Sequence, residues 1–332
     1  MKVCHHAQNF IGKGLFSGKS ETDRLFNEIR EYFPKNNNFE SAIFCFENRQ
    51  LHNLIAEIST DTVDYIETAM YEKVLIERAR ASEFLARNEQ IWAKGFVASE
   101  AMYILVLDFA QDYNEYIKEN LSEKVKELQY RYLALCEIHG RACQQFLEIL
   151  YLIKAGFADG AYARWRSIYE LSVIAQFIKE NDENTAQAYF EAADTDSGNH
   201  DWAKAAPCFA QHKHVVFDNI QKQCTKSQAW VDQYKLACKV VHASPQGTFG
   251  RLGRGSSAER VIPVGHSDYG LAIPAVNSAL ALALISTFFF GLFPYGDSIA
   301  YIQIVTKWAN IVRKHYEEIE AESFFHDVSN SK

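Results

Sequence analysis

Charged side chains occur inside an otherwise apolar helical segment, Ala161–Glu180. Arg166 and Glu170 are spaced i, i+4, so on an α-helix they lie one turn apart on the same face. That face also carries Tyr162, Val173 and Phe177. A helix that is apolar nearly all round is expected to be buried, and buried charges destabilise a fold unless they are paired. The segment therefore predicts charges that have fixed partners, line a polar cleft, or both.

Two interpretations of this pair stay open. An i, i+4 Arg–Glu pair is often an intrahelical ion pair, and a buried structural network is an alternative to a functional site. Arg164 belongs to a different face of the same helix, together with Ile168, Leu171, Ala175 and Ile178. Because Arg164 and Arg166 point in opposite directions, we do not expect them to bind one ligand from this helix alone.

A second segment, Ala229–His242, places an imidazole at the end of a predicted helix, directly before Ala243-Ser244-Pro245. His242 follows an apolar stripe made of Trp230, Tyr234, Cys238 and Val241. The carbonyl end of a helix carries partial negative charge and favours imidazolium. His242 is therefore predicted either to cap its own helix or to act as a general base or phosphate contact at the mouth of a cleft.

The longest irregular stretch, Ser244–Ser267, is the clearest local concentration of basic residues. It holds five glycines and one acidic residue, Glu259. Its arginines are Arg251, Arg254 and Arg260. Irregular segments of this length in compact domains are usually functional or disordered. We expect this loop to contact an anionic ligand.

The motifs Arg-Ser-Ile-Tyr-Glu-Leu, from Arg166, and Tyr-Lys-Leu-Ala-Cys-Lys-Val-Val-His, ending at His242, resemble a bacterial all-helical family of unknown function. That family carries an Arg-x-x-x-Glu helix and a later Tyr-x-x-Leu-Ser-x-x-Val-His helix. The resemblance spans residues 121–295, with Ala237 and Cys238 in place of the Leu-Ser pair. The family is in turn similar to the HEPN superfamily, whose members are often ribonucleases of toxin and phage-defence systems.

The resemblance implies a cytoplasmic HEPN-like protein that binds or cleaves RNA or a nucleotide, in stress or phage defence. If it is an enzyme, it would be a metal-independent ribonuclease in which His242 is the general base or acid and Arg166, held by Glu170, contacts the phosphate. The substrate would be bound by Arg164, Tyr234, Arg251, Arg254 and Arg260. The superfamily's Arg-to-His spacing occurs at Arg260 and His266, but Pro263 and Gly265 exclude a helix there, so we give it no weight.

Composition restricts the class of protein. The formal net charge of −8 argues against binding nucleic acid over the whole surface but allows a local basic patch. Seven cysteines, an odd number without a C-x-x-C pair, favour a reducing cytoplasm over a disulfide framework. No phosphate-binding Gly-rich motif and no complete set of metal ligands occurs in the sequence, so we expect neither a cofactor nor a metal.

Helical spacing dominates the whole chain and predicts an all-α fold, a bundle of long helices with an N-terminal helical extension. We expect an N-terminal helical region at 1–120, a core helical module at 121–322 and a tail at 323–332. The polar triplet Arg87-Asn88-Glu89 is predicted to be an exposed turn between two long helices.

Leu271–Pro294 is apolar enough to require a membrane test. Its uninterrupted apolar part is shorter than the roughly 20 residues of a spanning helix, and no Lys or Arg brackets it closely. We therefore predict a core helix and no membrane, and the N-terminus does not resemble a signal peptide. The alternative to an RNA-directed function is a non-catalytic helical module that binds a protein partner or forms a homodimer. In that case Arg166, Glu170 and His242 make internal structural bonds.

Overall fold

A computed structural model of the chain describes residues 49–194, 200–224, 226–242, 244–250, 252–253 and 264–324. Within these ranges there are ten α-helices and no β-strand, which confirms the predicted all-α class. The helices are α1 (Arg49–Asn120), α2 (Ser122–Glu127), α3 (Gln129–Lys154), α4 (Ala158–Glu180), α5 (Glu183–Glu191), α6 (Phe217–Gln223), α7 (Gln228–Val241), α8 (Pro245–Phe249), α9 (Ala272–Phe290) and α10 (Gly296–Phe324). Short 3-10 turns lie at Ala192–Asp194, Asp201–Ala205 and Pro207–Phe209.

The chain divides into two compact units between Arg78 and Ala79, within α1. The described residues of the first unit, 49–78, are helical. The helix α1 ends at Asn120. The layout with 1–120 as one region and 121–322 as another stays a prediction, and most of the predicted tail lies outside the described residues.

The core of the second unit is built around α4 and α9, which pack against each other and against α3. The helix α4 is buried nearly all round, as its composition predicts, with Tyr162, Trp165 and Tyr169 fully enclosed. The helix α9 corresponds to the apolar run of the sequence and also packs against α10. By length and composition alone α9 could cross a membrane, but two thirds of it is buried inside the protein, as in a core helix.

The predicted turn at residues 87–89 is wrong, because α1 continues through it without interruption. Asn88 is fully buried, and its amide donates hydrogen bonds to the carbonyl oxygens of Ile153 (3.1 Å) and Lys154 (2.8 Å). These carbonyls belong to the last turn of α3, which leaves them without intrahelical partners. A polar residue inside α1 therefore serves as a cap for another helix instead of breaking its own.

Parts of the Ser244–Ser267 loop are held against the bundle. Ser244 caps α8 by accepting a hydrogen bond from the backbone N–H of Gly247 at 3.1 Å. The backbone N–H of Leu252 donates to Asp159 in the first turn of α4 at 2.9 Å. Gly270 has a positive φ of 72°, and a Cβ at this position would collide with the carbonyl oxygen of Leu252, so glycine is required here.

Candidate functional site

The half-buried pair Arg166 and Glu170 on α4 gains a third member from α7. Arg166 Nε donates to Glu170 Oε1 at 3.0 Å, and the Tyr234 hydroxyl donates to the same oxygen at 2.8 Å. The guanidinium carbon of Arg166 lies 6.0 Å from the centre of the Tyr234 ring. The two motifs of the sequence therefore meet in one polar cluster, which we call the Arg166 cluster (Arg166, Glu170 and Tyr234).

The Arg166 cluster is enclosed on one side and open to water on the other. The side chains of Arg166 and Glu170 are 28% and 29% exposed. Burial is the largest influence on the pKa of Arg166 and lowers it, but the hydrogen bond to Tyr234 and the charge of Glu170 outweigh burial, so the net shift is upward. Burial and the neighbouring charge of Glu170 raise the pKa of Tyr234, which keeps its phenol protonated and able to donate.

Aromatic rings from three helices surround the cluster. The Tyr234 ring stacks on Tyr169 of α4, with ring centres 4.6 Å apart, and lies 5.5 Å from Phe217 of α6. Trp230 of α7 meets Tyr169 edge-on at 5.8 Å. Tyr162 donates to the backbone carbonyl oxygen of Gln233 at 2.8 Å. Cys224, just before α7, donates to the carbonyl oxygen of Val173, later in α4 than Tyr162. The two helices are therefore antiparallel, and the rings limit access of water to one side of the charges.

His200, which is not among the predicted site residues, lies beside the same cluster. Its ring is 6.0 Å from Phe217 and 6.4 Å from Trp202, and its backbone N–H donates to the carbonyl oxygen of Val215 at 3.0 Å. Burial lowers the pKa of His200, while the negative charge of Glu170 acts in the opposite direction. In the sequence His200 ends a polar stretch with no periodic pattern, so no local signal connects it with α4.

His242 is the C-cap residue of α7, the position that its sequence context predicts, and its side chain is exposed. Its backbone N–H donates to the carbonyl oxygen of Cys238 at 3.0 Å. Within the described residues, the structure gives no contact between the His242 side chain and Arg166. Cys238, one turn before His242, does act electrostatically on Arg166. A pocket shared by Arg166 and His242 therefore stays a prediction.

Arg164, another predicted substrate-binding residue, is not part of the cluster. Arg164 forms an ion pair with Glu148 of α3, away from α7, as its helical face predicts. The remaining three are Arg251, Arg254 and Arg260, which lie outside the described residues. His266, of the discounted pair, stacks on Phe84, and its Nδ1 lies 2.7 Å from the carbonyl oxygen of Ala155.

A cavity of about 270 Å³ opens at the N-terminus of α4 and does not include the Arg166 cluster. It is lined by Gly156, Phe157, Ala158, Asp159, Gly160, Gly253, Val264, Gly265 and Ser267. Among the described residues, no three His, Cys, Asp or Glu side chains converge to hold a metal ion. The expectation that the protein uses neither a metal nor a cofactor stays a prediction.

Residues 132–197 match the model of a family described as Family of unknown function (DUF5677). The match covers most of α3 and all of α4 and α5, so this part of the chain carries an uncharacterised domain. It contains Arg166 and Glu170 but ends before His200 and Tyr234. No curated protein matches the chain, and no solved structure does.

Proposed function

We propose that the protein is a HEPN-like, cytoplasmic protein that binds RNA or a nucleotide at the Arg166 cluster and cleaves RNA without a metal, in stress or phage defence. The observation that carries the proposal is the guanidinium of Arg166. Glu170 and Tyr234 fix its position, yet part of its side chain faces solvent. A guanidinium has five N–H donors and matches the geometry of a phosphate, so a held but accessible arginine suits phosphate binding.

The aromatic surroundings support a nucleic-acid ligand over a simple anion. Phe217, Trp230 and Tyr234, which are partly exposed, place ring faces and edges beside the charges. Unpaired bases stack on aromatic side chains, and such stacking accompanies backbone contacts in proteins that bind single strands. An acidic protein that offers one local cation beside aromatic rings would bind RNA at a defined site rather than over its surface.

For cleavage, the cluster would stabilise the charge that develops on the phosphate. A base removes the proton from a ribose 2′-hydroxyl, the 2′-oxygen attacks the phosphorus, and the bond from phosphorus to the 5′-oxygen breaks. An acid returns a proton to that 5′-oxygen, which leaves a 2′,3′-cyclic phosphate and a 5′-hydroxyl. Arg166 would neutralise the equatorial oxygens, held in place by Glu170, and His242 would serve as general acid or base.

The test measures binding and cleavage of a fluorescently labelled single-stranded RNA and of ATP, at low and high salt and in the presence of EDTA. Arg166→Ala should weaken binding at least tenfold and flatten the salt dependence, since a phosphate contact is lost. Arg141→Ala, an exposed arginine on α3, is the matched control. His242→Ala should abolish cleavage and leave the fold intact. Salt-insensitive binding, or equal binding by wild type and Arg166→Ala, would exclude this site.

One observation favours the second candidate function, a non-catalytic module that forms a homodimer. Exposed apolar side chains recur on α1 at Val97, Ile104 and Leu107, and on α10 at Ile304 and Ile311. The contacts between α1 and α10 run antiparallel, which places the exposed residues of the two helices at matching heights. The spacings of seven residues within each helix are those of a helix–helix seam.

Size-exclusion chromatography with light scattering tests the dimer. If these residues form the interface, Ile104→Glu should convert a dimer of the wild type into a monomer, because a charge would be buried without a partner. Tyr151→Glu, at an exposed position on α3, is the control. A monomeric wild type would remove this alternative, and a dimer that persists in Ile104→Glu would place the interface elsewhere.

A further inference from the structure

Resting on the proposed function, we propose that His200 is the general base of the site and takes the proton of the ribose 2′-hydroxyl. His200 is connected to the Arg166 cluster through Phe217, whose ring lies between the rings of His200 (6.0 Å) and Tyr234 (5.5 Å). Tyr234 in turn binds Glu170. The imidazole therefore lies at the α6 side of the cluster, next to the ring of Phe217.

The position of His200 is fixed by contacts at its backbone and its ring. Its N–H donates to the carbonyl oxygen of Val215, the residue whose own N–H donates to Asp201 at 2.9 Å. The Trp202 ring lies 6.4 Å from the imidazole, almost perpendicular to it. A base whose main chain is anchored and whose ring packs between two aromatic side chains loses little entropy when it meets its substrate.

The burial of His200 favours a neutral imidazole. Burial is the main influence and lowers the pKa of His200, so the ring is unprotonated at neutral pH and able to accept a proton. Glu170, from α4, is the charged group that opposes this effect. The neighbouring carboxylate of Asp201 is engaged by Lys204 (3.2 Å) and His214 (3.3 Å). After proton transfer, the carboxylate of Glu170 would stabilise the imidazolium.

The two histidines then have separate tasks. Glu170, whose charge acts on His200, lies one turn after Arg166 in the middle of α4, and His242 ends α7, which runs antiparallel to α4. We therefore assign His200 and His242 to opposite sides of Arg166. In-line attack requires a base on the side of the 2′-oxygen and an acid on the side of the leaving 5′-oxygen. With His200 as the base, His242 is left to protonate the 5′-oxygen, and the proton taken up by His200 returns to water.

The experiment compares the full-length wild type with His200→Gln in single-turnover cleavage of labelled single-stranded RNA, together with the Kd for the same RNA. His200→Gln should lower the cleavage rate about 100-fold or more, the usual contribution of general base catalysis, and leave the Kd unchanged. His212→Gln, at an exposed histidine of the same region, is the matched control and should cleave at the wild-type rate.

The pH dependence provides a second test that keeps His200 in place. A base is lost when it is protonated, so the wild-type rate should fall at acid pH. Glu170→Gln removes the charge that raises the pKa of His200, so the acid limb should move to lower pH, whatever the change in maximal rate. A purely structural role for His200 would not move this limb. An acid limb that stays at the same pH in Glu170→Gln overturns the assignment of His200 as the base. This test remains valid even where His200→Gln fails to fold.

The outcomes separate this assignment from the proposed function. RNA cleavage at the wild-type rate by a folded His200→Gln overturns the role of His200 and leaves the ribonuclease function standing. RNA binding that depends on Arg166 without any cleavage by the wild type also overturns the role of His200 and leaves the binding site. Absence of both binding and cleavage in the wild type overturns the proposed function itself.

Discussion

His139 on α3 should make the protein lose stability in weak acid. The ring is fully enclosed between α3 and α9, and its Nε2 lies 3.1 Å from Ser286 Oγ. The Ser286 hydroxyl donates to the carbonyl oxygen of Leu282 at 2.9 Å, so its oxygen accepts from Nε2–H. The hydrogen bond places a proton on Nε2, and burial keeps the ring neutral, with Nδ1 facing Cys143 Sγ at 3.9 Å. Protonation would add a buried charge beside the apolar ring of Phe289, 4.9 Å away.

The size of the effect follows from the pKa values. Burial lowers the pKa of His139 from the ordinary 6.5 to about 4 in the folded protein. At 1.36 kcal/mol for each pKa unit, this gap corresponds to about 3 kcal/mol. The unfolded chain binds the proton more tightly, so the stabilisation is present above about pH 6.5 and is lost as the pH falls towards about 4. Full burial means that solvent does not reduce this figure.

The measurement is urea unfolding of the wild type and of His139→Gln at neutral pH and at about pH 4.5. Glutamine can keep a hydrogen bond to Ser286 and does not titrate. Between these pH values the wild type should lose about 2–3 kcal/mol more than His139→Gln, because all other titrating groups are common to both proteins. His212→Gln, at an exposed position, should show the wild-type dependence. Equal pH dependence of the wild type and His139→Gln would refute a buried, neutral His139.

Two further predictions concern a helix cap and the basic loop. Asn88→Ala should lower the free energy of unfolding by about 1–3 kcal/mol, because two carbonyl groups at the end of α3 lose their buried donor. Asn310→Ala removes an exposed hydrogen bond on α10 and should change this free energy little. Urea unfolding compares the two variants, and equal effects would contradict the capping role of Asn88. Three glutamine substitutions in the basic loop should together flatten the salt dependence of RNA binding: Arg251→Gln, Arg254→Gln and Arg260→Gln. An unchanged salt dependence would mean that the loop does not contact the phosphates.

The sequence by itself determined the fold class and the buried faces of the core helices. Period-3.6 patterning predicts an all-α protein, and the all-round apolar composition of α4 and α9 predicts that both lie in the core. The pairing of Arg166 with Glu170 also follows from the sequence, because residues four positions apart on a helix are neighbours whatever surrounds them. The capping place of His242 is local too, since helix ends are encoded by the residues next to them.

Only the tertiary structure decided which distant groups join these local patterns. The antiparallel packing of α7 on α4 brings Tyr234 to Glu170, and the chain before α6 brings His200 within electrostatic influence of the same carboxylate. Tertiary packing also explains why the predicted turn at Asn88 is wrong. This polar residue suggests a helix break in the sequence, but in the structure it donates to the free carbonyl groups at the end of α3. Helical periodicity records which face of a helix is buried, but it carries no information on which helix covers that face, and the partners of the buried polar groups depend on that packing.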